Sequence, residues 1–218
     1  MATSGTTSAI PRAAAAYEDI AGIAALLTGL AGFLYAVAFI VLKNAGLSAL
    51  FLLVGGLLST AVLVALYGRL RRIDEPMALL GLILSLAGAF GAAIHGGYDL
   101  SNALHPPAST PDLPSGIDPR GLLTFGVAGL GLCVFAWLIG RDRRFPAGLS
   151  LVGYLAALLL IVLYLVRLIV LDAKSPIVAG PALLDGFVVN PAWYLWLGLT
   201  LLGHWRMPRR EGKGDRQP

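Results

Sequence analysis

Long, nearly uncharged apolar runs are the feature that fixes what this chain can become. Residues 20–42 contain no charged side chain. As a helix they reach about 34 Å at 1.5 Å per residue, enough to cross a hydrocarbon core of roughly 30 Å. Comparable runs follow at 47–67, 77–103, 122–139, 147–171 and 187–205. Lipid offers the backbone no hydrogen bonds, so such runs must satisfy their own amides as helices. The expected fold class is all-α: a polytopic bundle of six transmembrane helices.

Composition agrees. Hydrophobic residues make up 57% of the 218 and charged residues 13%, against about a quarter charged in soluble domains. Mean hydropathy is +0.80. Residues 1–19, small and polar, read as a flexible tail, 20–205 as one membrane domain, and 206–218 as a basic tail. The first run is too long for the apolar segment of a secretory signal, so it is expected to stay as helix one. The single cysteine, Cys133, forms no intrachain disulfide and leaves the redox compartment unread.

Punctuation along the chain supports these limits. Asp74-Glu75-Pro76 suits a helix start, with acids at the positive end of the dipole and proline in the first turn. Pro106-Pro107 stops the third helix, and five prolines within 104–119 mark the longest loop. Small residues recur every fourth position at Ala21, Ala25 and Gly29, and at Gly81, Ser85, Ala89 and Ala93. Such ridges let helix backbones approach closely, or let two copies of the chain pair as a homo-oligomer. Residues 172–190 are apolar but broken by Pro176, Gly180, Pro181 and Gly186, and read as interfacial or partly re-entrant. Asn190 is the expected N-cap of helix six, with Pro191 at its first position. Trp193, Tyr194 and Trp196 at one end, and Trp205 at the other, read as two aromatic belts.

The bases give orientation. Six spans place both tails on one side with the turns after helices two and four. Those segments hold Arg12, Arg69, Arg71, Arg72, Arg141, Arg143, Arg144, Arg206, Arg209, Arg210, Lys213 and Arg216, whereas the opposite loops hold Lys43, Arg120 and Lys174. The positive-inside rule then makes both termini cytoplasmic, in a cell (inner or plasma) membrane. Bases beside anionic lipid account for the net charge of +4 without a nucleic acid partner.

Polar groups at membrane depth are few. His95, Asp99 and Asn102 fall at i, i+4 and i+7 on the third helix, one stripe toward the outer end. Arg167, 20 residues after Ala147, reaches the same level. Two readings stand for each. The bland one has polar helix ends wetted by the loop and an arginine that snorkels. The functional one has an outward-facing polar pocket in which Arg167 pairs with Asp99 or, failing that, Asp185. A metal site would have to draw on His95, Asp99 and His105, since His204 belongs to the other end; neither an HExxH nor a paired-cysteine motif occurs. Ser101 and Ser115 lie near histidines, but no G-x-S-x-G elbow or phosphate-binding glycine loop is present. No cofactor and no catalytic residue is therefore expected.

Helix two ends ALYGRLRR and helix four ends WLIGRDRR, either a duplicated hairpin or convergence on a Gly-Arg cytoplasmic turn. The glycine-rich first helix, the turn YGRLRR and the segment NPAWYLWLGLTLL together resemble small bacterial six-helix membrane proteins classed as a domain of unknown function. That resemblance implies the architecture and carries no catalytic residues. The function expected is a non-enzymatic structural, accessory or sensing component with an outer pocket. The alternatives are a permease for a small solute or lipid, and an intramembrane hydrolase using His95 and Asp99. A permease needs polar groups below the outer third, where Tyr35, Ser59 and Thr60 are the main ones on helices one, two and four.

Overall fold

The computed structural model describes the backbone of residues 9–106, 119–170 and 175–203, and the side chains of all of these except 9–15 and 119. Ser115, Lys174, His204, Trp205 and the basic tail lie outside the described residues. Within them the chain is helical, with no strand. Helix α1 is Ala9–Ala36, prolonged by a π-helical turn Val37–Val41. Next come α2 (Ala45–Leu70) and α3 (Glu75–Leu104). Helix α4 joins Pro119–Gly121, a π-helical turn Leu122–Val127, and Ala128–Arg141. Helix α5 is Ala147–Ile169, and α6 joins Pro176–Leu184, a π-helical turn Asp185–Val189, and Asn190–Leu201. Five of them, α1 to α5, are long and apolar enough to cross a membrane.

The helix starts follow local chemistry. Asn44 caps α2 by accepting the Leu47 N–H at 3.0 Å, after Lys43 turns the chain through φ 51°. Asp74 caps α3 by accepting the Met77 N–H at 3.1 Å, satisfying one of the amides a first turn leaves open.

Two limits differ from the sequence reading. Helix α1 begins at Ala9, inside the supposed tail, where a run of four alanines at 13–16 favours helix. The segment before residue 190 is continuous helix from Pro176 onward, unbroken at Gly180, Pro181 and Gly186. Asn190 is therefore not a cap: at φ −65°, ψ −48° it lies within the helix, and its N–H donates to the Asp185 carbonyl. With the start moved back, Trp193 is 1% exposed, deep in the bundle. Trp196 packs on Gly148. Neither lies at the start of α6, where the sequence reading put them.

Each helix packs on its neighbours in sequence, and α6 returns to α1, closing a ring of six. Small residues make the contacts close. The ridge on α3 serves two partners: Gly81 and Ser85 meet Phe135 and Gly131 of α4, whereas Ala89 and Ala93 meet Gly56 of α2. On α1, Ala21 and Ala25 are fully buried, and Gly29 lies against Pro191, Tyr194 and Leu195 of α6. Large side chains fill one end of the ring, among them Leu66, Leu70, Phe135, Leu149, Trp193 and Leu197. This end carries Arg69, Arg141 and Arg144 and is called the arginine end below. The outer surface is apolar, with Ile83, Phe90, Leu151, Leu158 and Leu199 turned outward, a surface made for lipid rather than water.

Candidate functional site

The other end of the ring is hollow. A cavity of about 970 Å³ lies between the helices. Along α2 its wall runs from Ala45 to Leu66, about 31 Å at 1.5 Å per residue. It ends on the packed side chains Leu66, Phe135 and Leu197. Its mouth lies at the turn between α1 and α2 and the end of α3, where Lys43 and Asp99 reach solvent.

His95, Asp99, Asn102, Arg167 and Asp185 all line this cavity. At the mouth, His95 Nε2 approaches Asp99 Oδ2 at 3.3 Å. Arg120 of α4 donates from Nη1 to Asp99 Oδ1 at 3.2 Å and stacks over Tyr98, 4.1 Å from the ring centroid. The guanidinium paired with Asp99 is thus Arg120 and not Arg167. Arg120 sits two residues before the apolar run of α4, so its side chain can fold down onto α3. Arg167 donates from Nη1 to the Val170 carbonyl at 3.3 Å, at the end of its own helix. The alternative partner, Asp185, makes no ion pair with it either.

Asp185 lies deeper and is 7% exposed, and its Oδ1 has no hydrogen-bond partner among the described residues. Asn190 and Tyr194 continue below it on α6, and both line the cavity. On a regular helix of 100° per residue, positions five apart are about 140° out of line. The π-helical turn Asp185–Val189 absorbs one extra residue and brings Asp185, Asn190 and Tyr194 onto one stripe. The sequence reading missed Asn190 and Tyr194 as wall residues for that reason: spacings of five and four do not look like one face. Across the cavity stand Tyr35, stacked on Phe39 at 5.8 Å between centroids, and Ser59. All three π-helical turns reach the wall, through Phe39, Phe125 and Asp185. Turns of this kind recur at functional sites because they re-aim side chains within a helix. Thr60, by contrast, is not on the wall and donates to the Leu57 carbonyl at 2.7 Å.

The arginine end is held by a separate polar clasp. Arg69 binds Glu18 through two hydrogen bonds, of 3.0 and 2.6 Å. It also reaches the Leu201 carbonyl at 3.4 Å and stacks on Phe145, 5.7 Å from its centroid. Arg144 chelates Asp142 and donates to the Arg69 carbonyl at 3.1 Å. Burial pushes the Asp142 carboxyl up, but the hydrogen bonds and charge of Arg144 outweigh it and hold the group below its ordinary range. The same pair raises Arg144. The basic turns read from the sequence as lipid-facing charge are, at Arg69 and Arg144, also structural.

No cluster of three or more histidine, cysteine, aspartate or glutamate side chains able to hold a metal ion occurs among the described residues. Ring, cavity and apolar exterior together define the class: a polytopic helical membrane protein with a chamber open at one end. Comparison with known protein families, with curated proteins and with solved structures finds no match to this chain.

Proposed function

We propose that the chain is a non-enzymatic membrane component, sensing or accessory in role, whose chamber binds a small molecule with an apolar body. The observation that carries this reading is one cavity of about 970 Å³ that joins a charged mouth to apolar walls. A volume of that size matches ligand pockets, which are mostly apolar with a few placed polar groups. In this reading α6 is a sixth span, both termini are cytoplasmic and the mouth faces outward. The positive-inside count supports it, as does the helical continuity of Pro176–Leu201 across 26 residues, the sum of its 9-, 5- and 12-residue parts.

Binding of octanol to the chain in lipid nanodiscs tests the chamber. Octanol should bind above the background of empty discs, and Ala182→Trp, which places an indole at the wall, should remove that binding. Equal uptake by the native chain and the variant would contradict the reading.

A permease is the second reading, favoured by one observation. Polar groups continue well below the mouth, at Asn190, Tyr194 and Ser59. The chamber then represents an outward-open state closed by the arginine-end clasp. Flux through proteoliposomes, raised by Glu18→Gln, would support transport; a sealed vesicle across a broad solute panel would favour the binding role. The hydrolase reading has less support. His95 and Asp99 are adjacent, but the hydroxyl of Ser101 makes no hydrogen bond to His95 that could activate it.

A further inference from the structure

Asp185 poses a chemical problem that the chamber alone does not answer. It is 7% exposed, lies in the chamber wall, and leaves Oδ1 without a hydrogen-bond partner among the described residues. An isolated carboxylate in apolar surroundings is costly: it takes up a proton or needs a positive group to meet it. None of the described bases does so. Arg120 and His95 are engaged with Asp99, Arg167 with the Val170 carbonyl, and Lys43 lies at the mouth.

The surroundings narrow what could fill the gap. A hard metal ion wants six or more oxygen ligands, and the chamber wall offers chiefly aromatic and aliphatic groups, including Tyr35, Phe39, Trp193 and Tyr194. Aromatic faces attract organic cations. An anionic head group would be repelled by the carboxylate. An ammonium on a hydrocarbon chain satisfies both halves of the chamber at once.

We infer that Asp185 anchors the ammonium group of a protonated alkylamine whose chain lies along the apolar walls of the chamber. This rests on the chamber being a ligand site and adds the chemical class of the ligand. The ammonium donates to Oδ1, and the open mouth between α1, α2 and α3 is its way in. Asn190, the next residue along the α6 stripe, offers a carbonyl oxygen to a second ammonium proton.

Calorimetric titration tests it. The full chain, in nanodiscs of zwitterionic phosphatidylcholine at pH 7, is titrated with octylamine, octanol and octanoate, with empty discs subtracted. Octylammonium should bind at least tenfold tighter than octanol. Asp185→Asn, nearly the same shape without the charge, should erase that margin, and a melting transition like that of the native chain shows that the variant is folded. A margin that survives in Asp185→Asn overturns the assignment, as does octanoate binding tightest. If octanol binds and octylammonium has no advantage, the chamber stands and only the amine assignment falls. If none of the three binds the native chain, the chamber reading itself fails.

Discussion

Arg69 meets Glu18 edge to edge, Nε to Oε1 at 3.0 Å and Nη2 to Oε2 at 2.6 Å, locking α2 to the start of the apolar part of α1. Two-pronged geometry fixes direction as well as distance. Glu18 is partly exposed, at 36% of its side chain, so water screens the pair. A double-mutant cycle of Glu18→Gln and Arg69→Met should return a coupling of about 1 kcal/mol in thermal stability. A coupling indistinguishable from zero would show that the contact does not hold the clasp.

The crossing of α2 and α3 has no room for a side chain. A Cβ added at Gly96 would sit 2.5 Å from the Leu53 amide nitrogen and 2.6 Å from the Ala49 carbonyl oxygen, whereas one at Gly97 would meet nothing within 4 Å. Gly96→Val should therefore destabilise by about 1–3 kcal/mol, the usual range for overpacking. Gly97→Ala should be neutral or stabilise by up to about 1 kcal/mol through helix propensity. Melting temperatures of the two variants check the pair, and the order is the decisive result.

Acid should loosen the arginine end. The Asp142 carboxyl is held below its ordinary range in the folded chain, so its contribution to stability is present above the unfolded value of about 3.9. It is lost as pH falls through the lower folded value. Asp142→Asn should melt below the native chain by a constant interval from pH 7 to pH 5. The interval should shrink below about pH 4, where the native carboxylate also becomes neutral. An interval that stays fixed down to pH 3 would mean the charge of Asp142 is not what matters.

The mouth offers a choice of partners that a mutant cycle can settle. Asp99 takes its guanidinium from Arg120, so coupling of Asp99→Asn with Arg120→Met should exceed its coupling with Arg167→Met. Asp99 is 43% exposed at its side chain, so the larger value should be a few tenths to about 1 kcal/mol. The reverse order would restore the pairing expected from sequence.

Sidedness has a direct check. Reporter tags placed at Pro114 and after Pro218 should fall in opposite compartments when the six helices all cross. Tags found together would remove α6 as a span and move one chain end to the mouth side.

Much of this architecture was legible in the chain. Lipid leaves an apolar backbone one solution, so the first five helices follow from run length alone. Asp74 and Pro76 mark the start of α3 because capping and proline geometry are local. The four-residue ridge on α3 announced close packing, since a missing side chain is a property of the residue itself. The rest was hidden because it depends on what lies opposite. Trp193 reads as an interfacial anchor until Gly153 of α5 is seen to make room for it. Arg167 and Asp99 share a level, yet the pair is not made, because Arg120 arrives from a fourth helix.

The sequence by itself determined a helical bundle with at least five long apolar helices, and placed Arg69, Arg71, Arg72, Arg141, Arg143 and Arg144 in the turns after α2 and α4. Those are properties of single segments, set by transfer free energy and chain length. Only the tertiary structure decided that large side chains fill one end of the ring while the other stays open. It alone brought Asp185, Asn190 and Tyr194 into line on the wall of that space. A π-helical turn and a ring closure are agreements among distant segments, and no single stretch of residues contains them.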